Sequence, residues 1–332
     1  MISRPTAQLF LKRVMKDAED PDEDAHVFTW PDSYFECDVQ YASADGNGVS
    51  ILQADLYNID FGFIRQLEPN GVVKLVAGYD GIYDYTSDKL PPVPRPIFYG
   101  SLDYAYPVRQ GAERILRIQA SSSPTRLANT YVAINASSDN PITVADALRQ
   151  LFEQAGGQIL PPPQSAEDTK LPAYATLPGR SVLDEAAYLV QYLSAKTGQE
   201  HILVPNPFAQ SAPFTYAVVN LADPSVNEVT LDFEAHDLYN ASRILVKGQP
   251  DATMPVGDLV QFGPDAADAA MSGTLDYAVT MAFDPRLALG MRANLVNSED
   301  AGQFLITTLS HALGGQRWET SFRGPFRQAD PA

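Results

Sequence analysis

Phe35-Glu-Cys-Asp-Val-Gln-Tyr41 is followed by Asp45-Gly46-Asn47-Gly48 and then by Val49-Ser-Ile-Leu-Gln-Ala-Asp-Leu-Tyr57. Phe35, Cys37, Val39 and Tyr41 alternate with Glu36, Asp38 and Gln40, the period-two signature of a strand with one face in the core. Two turn dipeptides in succession, Asp-Gly and Asn-Gly, lead into the second apolar run and predict a hairpin.

Working outward, the same grammar recurs. Val73, Leu75 and Ala77 share a face within Val72–Gly78, Pro96–Tyr104 is a further strand, and in Arg114–Ser122 Leu116, Ile118 and Ala120 alternate with Arg117 and Gln119. Short strands at this spacing indicate a sandwich or small barrel. Upstream, Asp17-Ala-Glu-Asp-Pro-Asp-Glu-Asp24 is too polar to bury and reads as a solvated loop.

The period changes near residue 130. Tyr131–Ile134 reads as a strand. Thr143 with Asp146 forms a capping box for a helix whose face is Val144, Leu148, Leu151, Phe152 and Ala155, ended by Gly156-Gly157. Ser181 with Asp184 opens a second helix faced by Leu183, Ala186, Ala187 and Val190 and closed by Gly198, and His201–Val204 is a short strand after it. Beyond Pro213 the β pattern returns in Phe214–Leu221, Val229–Phe233, Arg243–Lys247, Leu259–Phe262, Tyr277–Phe283, Ala293–Val296, Phe304–His311 and Trp318–Phe322. Prolines cluster at Pro91–Pro96, Pro161–Pro163 and Pro205–Pro213, read as rigid connections.

The fold class expected is therefore β-rich α+β: two small antiparallel β-barrel-like domains with an inserted two-helix α/β domain. Residues 1–25 are an N-terminal element and acidic loop. The first barrel takes residues 26–125 plus 214–235, the insertion residues 126–213, and the second barrel residues 236–328.

The 332 residues carry 45% hydrophobic and 19% charged side chains, enough for a packed core. A net charge of −18 excludes ordinary nucleic-acid binding and docking on an anionic membrane. One cysteine, Cys37, allows no internal disulfide and no multi-cysteine metal site. No apolar run approaches the roughly 18 residues needed to span a bilayer, so no membrane insertion is expected, and a soluble chain folded in a reducing cytoplasm is.

Motifs for chemistry fail one by one. Asp20, Asp22 and Asp24 alternate as in a calcium loop, but Ala25 stands where the turn glycine belongs and Pro31 where the bidentate glutamate does. His26, His201, His236 and His311 form no pair at metal or catalytic spacing. Gly179-Arg180-Ser181-Val182-Leu183 lacks the last glycine of a nucleophile elbow, and Ser181 reads as a helix cap. Gly46 and Gly48 begin a dinucleotide-like pattern that Ile51 ends. Cys37 falls on the apolar side of its strand, a core position. Trp30 and Trp318 read as packing residues, and no carboxylate pair can be picked out among 41 acidic residues. No catalytic, metal or cofactor residue is assigned, and no cofactor is expected.

The segment Leu67-Glu-Pro-Asn-Gly-Val-Val-Lys-Leu-Val-Ala-Gly-Tyr-Asp80, taken with Ile97-Phe-Tyr-Gly-Ser-Leu102, resembles the N-terminal barrel of phage baseplate hub proteins, in which a strand ending Ala-Gly-Tyr precedes one with an aromatic-x-Gly pattern. Arg243-Ile-Leu-Val-Lys-Gly248 is similar to the strand entering the family's second barrel, and Leu287–Val296 to the turn and strand before its last hairpin. Phe304–His311, Gly314-Gly315 and Trp318–Phe322 resemble that hairpin. The resemblance, which extends to the hub part of type VI secretion spike proteins, implies a non-enzymatic structural protein of the virion tail, assembled in the bacterial host cytoplasm. It implies a homotrimeric ring that adapts a sixfold tail tube to a threefold spike, with tube, spike, tape-measure and other baseplate proteins as partners. DNA would pass the lumen without specific binding, and the acidic charge would keep it from adhering. The rival readings are a tail-associated glycan hydrolase and a carbohydrate- or receptor-binding β module.

Overall fold

The computed structural model describes residues 4–12, 25–41, 49–60, 63, 67, 71–80, 94–111, 113–122, 130–137, 139–172, 174–205, 215–220, 228–232, 238–246, 253–255, 274–296 and 302–328. The first seven strands are β1 (Arg4–Lys12), β2 (His26–Trp30), β3 (Phe35–Tyr41), β4 (Ile51–Tyr57), β5 (Val72–Asp80), β6 (Arg95–Gln110) and β7 (Glu113–Ser121). They pair antiparallel in the order β2-β1-β5-β6-β7-β4-β3. The quoted alternation is borne out: Phe35, Cys37, Val39 and Tyr41 are buried while Glu36, Asp38 and Gln40 face outward. The Asp45–Gly48 turn and the acidic run 17–24 lie outside the described residues. The short N-terminal element is a nine-residue strand that joins this sheet between β2 and β5.

Gly100, the glycine of the aromatic-x-Gly pattern, has a steric reason. A Cβ there would lie 2.3 Å from the carbonyl oxygen of Ser121 on β7, closer than two adjoining strands tolerate. β6 is longer than the alternation suggests: beyond Leu102 it leaves β5 and, among the described strands, continues as a ribbon paired with β7 alone.

The insertion follows. Its elements are β8 (Asn135–Ala136), β9 (Ile142–Thr143), α1 (Val144–Ala155), β10 (Gln158–Ile159), α2 (Gln164–Asp168), β11 (Lys170–Leu171), β12 (Tyr174–Ala175), α3 (Val182–Thr197), β13 (His201–Pro205) and β14 (Thr215–Asn220). Both capping boxes form. Thr143 Oγ1 accepts from Asp146 N at 3.0 Å and Ser181 Oγ from Asp184 N at 3.2 Å, and Gly156 and Gly198 end the helices in the left-handed region. Thr143→Ala is expected to cost about 1 kcal/mol, read as a lower urea midpoint with an unchanged slope.

Three expectations are corrected here. Tyr131–Ile134 joins no ladder among the described residues; Ile134 instead bonds to Thr176, its N–H to Oγ1 and its carbonyl to the backbone N–H. The Pro161–Pro163 stretch leads into α2, a third short helix with Pro163 at its N-cap, where a proline's missing N–H and fixed φ are harmless. Thr215–Asn220, assigned with the first barrel, instead pairs antiparallel with β13 and parallel with β10 in a three-stranded sheet under the helices. Its Tyr216 is fully buried in the insertion's own core with Phe152 and Leu203.

The last part comprises β15 (Glu228–Asp232), β16 (Leu238–Val246), β17 (Thr253–Pro255), β18 (Thr274–Ala282), β19 (Arg292–Val296), β20 (Gly302–Leu305), β21 (Thr308–Gly314) and β22 (Arg317–Gln328). β15 runs parallel to β19, on this side of the molecule and not with the first barrel as expected. Leu259–Phe262 lies outside the described residues. The run Phe304–His311 is two strands rather than one. A Cβ at Gly324 of β22 would lie 1.4 Å from Leu305 O, so the chain crosses β22 there with no room to spare and turns at Ile306-Thr307. β20 then pairs with β19 and the end of β22, and β21 pairs with β22 and β3.

The β21–β3 ladder joins the two β regions into one sheet system with one core, from Ala7 and Leu9 through Val39, Leu75 and Ile118 to Phe283, Leu309 and Phe322. Among the described strands the pairing path stays open, ending at β2 and β15. The architecture is β-rich α+β with a small helical insertion, as the sequence patterns predict.

Candidate functional surfaces

The outward residues of β3, β4, β7 and β6 line up across the sheet in two adjacent rows, Asp38–Gln53–Gln119–Tyr104 and Glu36–Asp55–Arg117–Tyr106. Strand alternation alone puts them there. Asp55 grips Arg117 through two bonds of 2.7 and 2.6 Å, a bidentate pair that raises the guanidinium pKa further. Further along the system, Gln40, Ser310, Ser321 and Thr280 occupy one cross-strand row under a trough of about 370 Å³, with Thr280 and Ser321 hydroxyls 2.9 Å apart. These faces are polar, and the charges lie in the first two rows, at Glu36, Asp38, Asp55 and Arg117.

Beneath them lies a buried polar knot. The Asp284 carboxylate, in a residue 3% exposed, is held by Arg286 Nε and Nη2, and Asp284 N donates to Thr320 Oγ1 at 3.0 Å. His311 Nδ1 sits 2.9 Å from the same Thr320 oxygen. The Thr320 hydroxyl thus bridges the Asp284 backbone and the His311 ring. Edge-on rings of Tyr41 and Phe283 flank the imidazole, and Nε2 has no hydrogen-bond partner among the described residues. Burial drives the His311 pKa down to about 3, partly opposed by the Asp284 charge.

A second group sits in the insertion. Ser165 Oγ is 2.9 Å from His201 Nε2, and His201 Nδ1 is 2.9 Å from Gln199 O, so Nδ1 donates to the carbonyl and Nε2 accepts from the serine. This is a nucleophile–base contact, but a backbone carbonyl stands where a carboxylate would orient and charge-stabilise the ring. Burial also lowers the His201 pKa. The pair fastens α2 to β13. No sequence motif could have found it, since the partners are 36 residues apart on different elements. Nearby, Tyr174 Oη donates to the buried Glu185 at 2.6 Å, another buried polar group that the apolar helical pattern conceals.

The residues considered from sequence scatter accordingly. Cys37 is 2% exposed and burial pushes its thiol pKa up. Trp30 and Trp318 pack on each other at 6.1 Å and on Phe35 and Phe283. Ser181 is a cap. His26 is exposed on β2 against Phe63. Asp20, Asp22, Asp24, Gly46, Gly48 and His236 lie outside the described residues. Among the described residues no three His, Cys, Asp or Glu side chains gather at metal-binding distance, and no helix is long and apolar enough to cross a membrane.

This arrangement is similar in fold to solved tail proteins. Solved structures similar to the chain over nearly its whole length include a tail protein from Neisseria meningitidis (TM-score 0.58, 11% identity, 97% of this chain and 96% of that one). A 43 kDa tail protein of prophage MuSo2 from Shewanella oneidensis is similar to the same degree (TM-score 0.58, 10% identity, 97% and 98% covered). An E. coli component of the type VI secretion system, described as structurally similar to the T4 phage tail proteins gp27 and gp5, matches at TM-score 0.51 and 10% identity over 90% of this chain and 76% of that one. No protein-family model and no curated protein matches the sequence. The resemblance to baseplate hub proteins read from the sequence is borne out at the level of the fold.

Proposed function

We propose that the chain is a non-enzymatic hub protein of a phage tail baseplate, which closes into a homotrimeric ring between a sixfold tail tube and a threefold spike. The observation that carries this reading is the end-to-end match in fold with two tail proteins of nearly equal extent. Each chain supplies two β units, residues 26–125 and 236–328, so three chains present six similar faces to the tube. The insertion at residues 126–213 decorates the outside. Tube, spike, tape-measure and other baseplate proteins dock on strand edges and sheet faces, and the protein resides in the virion tail. The net charge of −18 makes a lumen past which DNA slides without adhering.

Light scattering on the purified chain, followed by electron microscopy, tests the reading. A mass three times that of the chain and a threefold ring with a central channel are expected. A monomer that cleaves peptidoglycan, with cleavage abolished by one carboxylate substitution, would establish the hydrolase instead. A channel lined mainly by Arg and Lys would overturn the reading of the charge.

A further inference from the structure

Tyr104 and Tyr106 end the two polar rows on the outer face of the β6–β7 ribbon. They are 44% and 43% exposed, and their ring centroids lie 5.7 Å apart with planes 32° from parallel. Neither ring is loose. Tyr104 Oη donates to Gln119 Oε1 at 2.6 Å, the Tyr106 hydroxyl is hydrogen-bonded to Arg117, and Arg117 is clamped by Asp55. Gln53 Nε2 also donates to Gln119 Oε1, at 3.2 Å. These bonds leave the Gln119 amide N–H groups and the Gln53 carbonyl oxygen to face solvent beside the rings. Rings already immobilised lose little freedom when something settles on them.

We propose that this face is a binding platform for a neutral pyranose chain, with consecutive sugar rings on Tyr104 and Tyr106 and sugar hydroxyls at Gln53 and Gln119. The C–H face of a pyranose carries weakly positive hydrogens that pack against the negative face of an aromatic ring. The centroid spacing is close to one sugar repeat in an extended glycan. Arg117 neutralises Asp55, while Glu36 and Asp38 in the same rows and the chain's net −18 leave the surroundings acidic, so a neutral glycan is favoured over an anionic one. A second copy of this chain is the poorer occupant. The flanking residues are amides and an ion pair, not the apolar centre of a protein interface. The neighbouring strand edge is blunted as well. Counting back from the last pair of the ribbon, Gln110 with Glu113, Pro107 falls at a non-hydrogen-bonded pair with Leu116, so its missing N–H is on the edge away from β7 and an added strand would find no donor there.

Isothermal titration of the full chain with cellohexaose, chitohexaose and laminarihexaose tests the proposal independently of oligomeric state. Binding to at least one hexaose is expected, weakened about tenfold by Tyr104→Ala and by Tyr106→Ala, each removing one stacked ring. Tyr188→Ala, an exposed tyrosine on α3, is expected to change nothing. No heat with any of the three at millimolar concentration would overturn the proposal, as would equal binding by the Tyr104 and Tyr106 variants. A changed oligomer mass in those variants, without glycan binding by the unmodified chain, would assign the face to a second copy.

Discussion

Phe283→Ala is expected to destabilise the chain by about 3–5 kcal/mol, the range for emptying a well-packed aromatic site. Phe283 is 2% exposed and sits where the two β regions meet, its ring against Tyr79, His311 and Trp318 at 6.2, 5.1 and 6.0 Å. Its backbone is tied on both sides: the carbonyl accepts from Tyr79 Oη at 2.9 Å and the N–H donates to Trp318 O at 2.9 Å. The neighbours are held by these bonds and by ladders, so the site cannot collapse onto the cavity. Urea unfolding followed by both tryptophan fluorescence and far-ultraviolet dichroism measures the loss. Because Phe283 contacts both regions, the two signals are expected to shift together. A loss below about 1 kcal/mol would mean that Phe283 does not join the two regions.

The second large effect is acid destabilisation through His311. Its folded pKa is about 3 against 6.5 for the free side chain, so the unfolded chain binds a proton that the native one refuses. Stability from this group is complete above pH 6.5 and drains away as pH falls toward 3. At pH 5, one and a half units below the free value, the loss is roughly 2 kcal/mol, since each unit is worth about 1.4 kcal/mol. His201, whose pKa burial also lowers, pulls in the same direction. His311→Gln retains a hydrogen-bonding group for Thr320 but cannot take up a proton. Its urea midpoint is expected to fall less between pH 7 and pH 5 than that of the unmodified chain, and identical pH dependence in the two would show that His311 is not the titrating group.

The legible part of this molecule was whatever depends on local period and caps. Phe35–Tyr41 and the two capping boxes are short-range statements, and each stands where alternation or hydrogen-bonding side chains require it. The misplacement of Thr215–Asn220 had a different cause. Its alternation states that it is a strand but not which of two sheets receives it, and that is decided by Tyr216 fitting among Phe152 and Leu203. The break at Ile306-Thr307 depends on Gly324, a residue on another strand. The buried polar groups were invisible for the same reason. Ser165 meets His201, and Asp284 meets Thr320, across 36 residues of sequence, and although His311 and Thr320 face each other in one hairpin, alternation does not say that they are buried together. The tyrosine platform lies on the solvent side of strands that were recognised by their apolar side, where periodicity says only that a residue faces out.

The β3–β21 ladder also sets a clock on synthesis. Cys37 pairs with Leu313, 276 residues later (313 − 37). At the roughly 5–20 residues per second of a ribosome, β3 waits roughly 15–55 s for its partner after leaving the tunnel. During that time one edge of β3 is unpaired, and the Cys37 thiol lacks the neighbours that finally enclose it. Faster elongation, or a holdase that covers this edge, should therefore raise the yield of soluble protein more than any change in the early turns. Truncation before Thr308 should leave the edge permanently exposed and the product aggregated.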